Sequence, residues 1–188
     1  MSQPVHSVRN SLIDKERSFS LGPDALLWRE AGGEGRLAYA DVRDMRLFGY
    51  PSPLGEALQC TLRSRKHGKV KIRSAHYRSL GNFEDRKETY GPFVAALAKC
   101  IATRAPDAKF IAGSTALWLV WLVLGVVCAV VVGLLILALI GGASLAGPAI
   151  MAVAICIAAV PLAISRVRKD RARRFDPEAP PPALLGTR

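Results

Sequence analysis

Between Thr115 and Ser165 the chain has no Asp, Glu, Lys, Arg or His. A run of that length without an acidic or basic side chain excludes an ordinary solvated surface over it. It also excludes proton relays and ion sites of the kind that need a charge inside a membrane. Cysteine is scarce and scattered: Cys60, Cys100, Cys128 and Cys156 form no C-x-x-C pair, so they read as separate structural thiols. His6, His67 and His76 fall in an arm, a turn and a strand end. None has a Cys, Ser or carboxylate at motif spacing, which supports neither a metal site nor a catalytic triad. "GGEG" leads into a strand and no Lys-Ser/Thr follows it, so it is no phosphate-binding loop. "FEDR" sets Glu84 and Asp85 about 100° apart on a helix, which suits a helix start better than paired carboxylate chemistry. "MSQPVHSVRN" lacks an apolar core, so no cleavable signal peptide is expected. No catalytic residue, metal or cofactor is expected.

Charge surrounds the uncharged middle. Residues 1–114 carry 19 Lys+Arg against 12 Asp+Glu, net +7, and residues 166–188 carry 7 against 3, net +4. A basic head and a basic tail around an apolar centre is the layout of a membrane protein. Residues 115–140 would make a first transmembrane helix of about 39 Å, enough for a hydrocarbon core of roughly 30 Å. Residues 145–165 are sufficient for a second, with Pro148 in its first turn and Pro161 in its last. Gly141–Ser144 between them allows only a tight hairpin. "RVRKDRARR" after the second span, with Arg104 and Lys109 before the first, puts both termini in the cytoplasm under the positive-inside rule. Trp118 and Trp121 suit the cytoplasmic headgroup zone. Gly125, Ala129 and Gly133 on the first span, and Ala154 and Ala158 on the second, make small faces that serve packing within the hairpin or a homo-oligomer.

The head reads as strands and one helix. Residues 1–16 are polar and aperiodic, an expected flexible arm. "SFSLG", "ALLWRE", "RLAYADVRDMRLF", "ALQCTLRSR" and "KVKIRS" are strand-like, with "GPD", "AGGEG" and "GYPSPLGE" as loops. Phe83, Tyr90, Val94, Leu97 and Ile101 recur at helical spacing, and Gly91-Pro92 is a point where that helix could break. The expected fold class is α+β, an antiparallel meander capped by a helix over residues 17–108.

The most charged stretch is "TLRSRKHGKVKIRS", Thr61–Ser74. Alternation puts Leu58, Cys60, Leu62, Val70 and Ile72 on one face and Arg63, Arg65, Lys69, Lys71 and Arg73 on the other. A three-residue turn Lys66-His67-Gly68 would pair Arg65 with Lys69, Arg63 with Lys71 and Thr61 with Arg73. Like charges so placed cost tenths of a kcal/mol per pair, on the order of the usual cross-strand term. The face is either a solvated edge guarded against aggregation, or a docking surface for anionic lipid or an acidic protein. Nucleic acid is disfavoured, because the face carries no aromatic residue for base stacking. The tail "DPEAPPPALLGTR" is Pro-rich and expected to be disordered.

The strand order of "GRLAYADVRDMRLF" and "CTLRSRKHGKVKIRS", closed by "FEDRKETYGPFVAALAKCI", resembles the bacterial pleckstrin-homology-like (PH-like) fold. The whole layout resembles bacterial proteins that pair such a domain with a membrane hairpin. That resemblance implies an inner-membrane, multi-pass protein whose head recruits lipid or protein rather than catalysing a reaction. Lipid-binding members with a known basic cluster carry it in the first strand–strand loop. Here that loop is "LGPDA", with an acid and no base, so phosphoinositide binding is not implied. The expected function is a non-enzymatic, membrane-anchored interaction module. The alternative is an accessory or assembly subunit of an inner-membrane complex that acts through its hairpin.

Overall fold

The computed structural model describes residues 4–66, 68–142 and 147–186; of residues 147–150, 152, 153, 160, 162, 168 and 169 it describes the backbone path. The fold is α+β. Strands β1 (Val5–Val8), β2 (Arg17–Leu21), β3 (Ala25–Glu30) and β4 (Gly33–Ala38) form an antiparallel meander. Strands β5 (Val42–Ser52), β6 (Gly55–Ser64) and β7 (Lys69–Arg73) continue antiparallel in a second sheet. A hairpin of β8 (Ala75–Ser79) and β9 (Asn82–Asp85) precedes helix α1 (Lys87–Arg104). Strand β10 (Lys109–Ala112) then runs parallel to β5. Helices α2 (Thr115–Ile140) and α3 (Gly147–Asp170) follow, and β11 (Arg173–Arg174) returns antiparallel to β10. The second sheet therefore has the order β11-β10-β5-β6-β7.

Alternation places the core. Phe19 and Leu21 on β2, Leu26 on β3, Leu37 on β4, Met45 and Leu47 on β5, and Cys60 and Leu62 on β6 are all buried. They meet Tyr90, Phe93, Val94, Leu97 and Ile101 of α1 in one cluster. Each such side chain contributes about 1.5–3 kcal/mol through the apolar surface it removes from water. Burial also pushes the Cys60 thiol far up, which keeps it inert.

Several local expectations change. Residues 5–8 of the expected arm form β1, because His6 anchors it. The His6 ring is buried; its Nε2–H donates to the Arg73 carbonyl at 2.8 Å, and its Nδ1 lies 3.0 Å from the Thr89 hydroxyl. "AGGEG" is a tight turn at Ala31-Gly32 followed by strand. Gly35 in β4 has no Cβ, which would otherwise lie 2.1 Å from the Trp28 ring that covers it from β3. In "GYPSPLGE" the strands continue to Ser52 and resume at Gly55, leaving only Pro53-Leu54 as the turn. Phe83 belongs to β9, packed edge-on against Tyr77 at 5.5 Å, not to the helix.

Gly91-Pro92 does not break α1 either. Gly91 leaves room for the tail: a Cβ there would lie 2.4 Å from the Leu185 carbonyl oxygen. The tail is thus placed, not disordered. Phe175 stacks edge-on with Phe110 at 5.7 Å, and its N–H donates to the Phe110 carbonyl at 3.2 Å. Leu184 and Leu185 pack on the core beside a short 3-10 turn, Pro182–Leu184. Three consecutive prolines already lack much of the freedom that ordering would remove, so two leucines and a phenylalanine suffice to dock the segment.

The chain divides into two compact units, Met1–Gly113 with Arg173–Arg188, and Ser114–Ala172. In the second, the Ser114 hydroxyl accepts from the Leu117 N–H at 3.4 Å and caps α2. Helix α2 is long and apolar enough to cross a membrane, with mean hydropathy 3.2 over its best window. It packs against α3, and Leu117, Trp118, Trp121, Gly125, Cys128, Val131, Val132, Gly133 and Leu135 are its less exposed positions. Elsewhere its side chains are exposed, and only 6% of that apolar window is buried.

Two outcomes are expected. Replacing residues 114–172 by an Asn-Gly turn should leave a head that unfolds cooperatively, because Ala112 and Arg173 are already paired neighbours. Ending the chain at Gly113 instead should lower the thermal midpoint by about 5–15 °C, read by circular dichroism. The second outcome concerns pH. Burial lowers the His6 pKa, against the Arg73 hydrogen bond that raises it and with Arg86 adding to the lowering. Burial and Arg86 likewise lower His76, whose Nδ1 accepts from the Arg9 N–H at 3.1 Å. The unfolded state therefore binds more protons below about pH 6.5, so stability is full above that value and lost as pH falls through the lowered folded values. Urea midpoints should drop between pH 7.5 and 5.5, and His6→Gln should flatten the slope.

A candidate anion-binding face on the second sheet

The turn between β6 and β7 decides which charges meet. Ser64 N–H donates to the Gly68 carbonyl at 2.9 Å, and Gly68 has φ +73°, so the loop runs from Ser64 to Gly68 and not over three residues. Gly68 takes the left-handed conformation that a glycine adopts without strain. The register shifts by two: Arg63 faces Lys69, Thr61 faces Lys71 and Gln59 faces Arg73. The expected facing is preserved, since a shift of two keeps every side chain on its side. The expected charge ladder is not. One like-charged pair remains, and Arg65 lies in the turn.

Arg73 is satisfied locally. Its Nε–H donates to Gln59 Oε1 at 2.9 Å, its guanidinium sits 5.5 Å from the centre of the Tyr50 ring, and it also reaches the Asn10 carbonyl at 3.3 Å. Gln59 in turn donates to the Thr61 hydroxyl at 2.9 Å, and both residues are buried. This end of the hairpin is a structural network.

The other end is different, because three more strands contribute to the same face. The register sets Asp44 beside Arg63 and Lys109, and Arg46 beside Thr61 and Ile111, with Arg174 opposite Ile111. Arg43, Asp44, Arg46, Arg63, Lys69 and Lys109 line a groove of about 320 Å³. Five cations surround one carboxylate. Asp44 is buried and accepts from the Arg46 Nε–H at 3.0 Å, with the Arg63 Nε 3.9 Å away. The Arg63 Nε is itself buried without a hydrogen bond. Arg43, Lys69 and Lys109 have no ion-pair partner among the described residues. Such a groove holds a positive potential that an anion would relieve.

Of the residues read from the sequence, Arg63, Lys69, Lys71 and Arg73 share this face, Arg65 stands apart, and His67 lies outside the described residues. Arg43, Arg46, Lys109 and Arg174 were not legible as members. The one available signal was the alternation of "DVRDMRLF" and "KFIA", which places Arg46 and Lys109 on the side away from Met45 and Phe110. Among the described residues no group of three or more His, Cys, Asp or Glu is arranged to hold a metal ion.

The small residues of the helical unit separate. Gly125 lies against Ala163, where an added Cβ would be 3.8 Å from the alanine methyl. Ala129 lines an apolar groove with Trp121, Gly125 and Ala163. Among the described residues nothing lies within 4 Å of a Cβ on Gly133, and Ala154 and Ala158 are exposed. Among the described residues, the seam between α2 and α3 includes Gly125, with Cys128 buried one turn on.

Asp44→Asn should leave two guanidinium groups facing each other without a counter-charge. We expect a stability loss of about 1–3 kcal/mol in urea unfolding; an unchanged midpoint would show that Asp44 does not organise the groove. No protein-family model, no curated protein and no solved structure matches this chain, so the face is assigned on its own geometry.

Proposed function

We propose that this protein is a non-enzymatic, membrane-anchored interaction module whose basic sheet face docks on anionic lipid of the membrane that holds it. The observation that carries this reading is the gathering of Arg43, Arg46, Arg63, Lys69 and Lys109 from four strands around the one carboxylate of Asp44. Each cation near an anionic leaflet contributes about 1 kcal/mol.

The anchor rests on two supports. Only 6% of the apolar window of helix α2 is buried, an arrangement unfavourable in water and natural in hydrocarbon. Strands β10 and β11 are antiparallel neighbours, so the chain leaves the head and rejoins it at adjacent points. If α2 crosses a membrane, α3 is the segment that returns across it, which makes a two-helix hairpin with the head and both ends on one side. The basic residues around the hairpin's ends, Arg104, Lys109, Arg171, Arg173 and Arg174, make that side the cytoplasmic one. A four-stranded meander and a second antiparallel sheet closed over by one helix also support a PH-like reading of the head, with β8, β9, β10 and β11 as additions.

A second reading, an accessory subunit of an inner-membrane complex, draws on the exposed small residues Ala154 and Ala158 and on Gly133, where a Cβ would meet no described residue. One experiment separates the two. The head with an Asn-Gly turn in place of residues 114–172 should float with vesicles containing phosphatidylglycerol and not with pure phosphatidylcholine, and binding should weaken as salt rises. Equal flotation with both vesicles, or none with either, would reject the docking face and leave the hairpin as the working surface.

A further inference from the structure

Docking by overall charge does not account for the shape of the groove. A flat basic face needs only cations at its surface, whereas this one sets half-buried Arg46 and Arg63 and exposed Arg43, Lys69 and Lys109 around a buried carboxylate. Asp44 accepts from the Arg46 Nε–H, while the Arg63 Nε lies 3.9 Å away without a hydrogen bond, so the carboxylate holds one guanidinium by its inner edge and faces the second. No other contact engages their terminal amino groups among the described residues, and these remain as donors. Lys109 arrives from a different strand, paired beside Asp44, and Lys69 closes the side next to Arg63. The centre of the groove, Asp44 with Arg46, is therefore in place before any ligand enters it.

We propose that the groove is a discrete subsite for a phosphomonoester on a membrane lipid, of the phosphatidate type. This rests on the docking reading above and narrows it. The chemistry follows from charge and donor count. A phosphodiester headgroup brings one negative charge and two free oxygens. A phosphomonoester brings about 1.5–2 charges and three free oxygens, and it stands clear of further substituents. Five cations less one carboxylate leave a net of +4, which a single diester would leave largely unrelieved. Paired guanidinium donors and two ammonium groups also match an acceptor with three equivalent oxygens. The lipid source follows from the chain: Lys109 lies five residues before Ser114, the cap of α2, a reach of at most about 18 Å even fully extended. The groove lies far along the chain from "LGPDA", the first turn of the meander's core strands, and needs β10, a strand that follows α1.

The test uses the full chain in phosphatidylcholine nanodiscs. One set carries phosphatidate, another carries phosphatidylglycerol at the higher mole fraction that matches surface charge. Amine labelling of Lys69 and Lys109, read by mass spectrometry, should be suppressed by phosphatidate at about tenfold lower lipid fraction than by phosphatidylglycerol. Arg63→Gln should abolish that difference. Lys109→Gln, on another strand and at an exposed position, should do the same at Lys69, so the result does not depend on one variant's folding. Equal suppression at matched charge would overturn the subsite while sustaining general docking. No suppression in either nanodisc would overturn the docking reading itself. Suppression by soluble glycerol 3-phosphate as strong as by phosphatidate would overturn the lipid source.

Discussion

The pairing of β10 with β11 is the constraint on which the rest of this chain depends. Two short strands, Lys109–Ala112 and Arg173–Arg174, hold together the points where the polypeptide leaves the head and comes back. The helical unit is in consequence an insertion into a sheet, not an appendage at the end of a domain. An insertion between antiparallel neighbours must begin and end at the same place, and a pair of helices joined by a short turn is the simplest segment that does so. The same pairing brings the tail back to the head, where Phe175, Leu184 and Leu185 complete a core that would otherwise leave apolar surface of α1 and β10 in water.

The basic face is a second consequence. Strand β10 carries Lys109 to the side of Asp44, and β11 carries Arg174 to the side of Ile111. Without these two strands the face would hold only the cations of β5, β6 and β7, and its groove would be open along one wall. Asp44 then fixes the chemistry of the centre. A lone carboxylate among several guanidinium and ammonium groups lowers their repulsion, yet leaves most of the charge unanswered. The residues that hold the fold and the residues available to a ligand are thus interleaved on one surface. The Arg73–Gln59–Thr61 network belongs to the first kind and Lys69 and Lys109 to the second.

Much of this was legible in the residues themselves. Period-two alternation identified β5, β6 and β7 and the inward set from Met45 to Ile72, because a sheet with one buried face imposes that pattern on any sequence that forms it. Helical spacing identified the buried stripe of α1. What escaped was decided by neighbours distant in the chain. "VHSV" reads as an arm because one apolar-flanked histidine is no strand signal, and only the Arg73 carbonyl and Thr89 hydroxyl make His6 an anchor. Gly91-Pro92 reads as a breaker because its second role, admitting the Leu185 carbonyl, depends on a segment some ninety residues away. "PEAPPPALL" reads as disordered because composition records the cost of ordering and not the surface waiting to receive it.

The sequence by itself determined the charge map: an apolar stretch free of acidic and basic groups, a basic region on each side of it, and strands whose polar faces are rich in lysine and arginine. Those properties belong to residue types and their local order, and no partner is needed to read them. Only the tertiary structure decided which charges stand together. The loop from Ser64 to Gly68 moved the β6–β7 register by two and left one like-charged pair where two were expected, while β10 and β11 brought Lys109 and Arg174 to the same face from beyond α1 and α3. A register is set by hydrogen bonds between segments, and a groove by strands that close on one another, so neither is written in the stretch of chain that carries the charge.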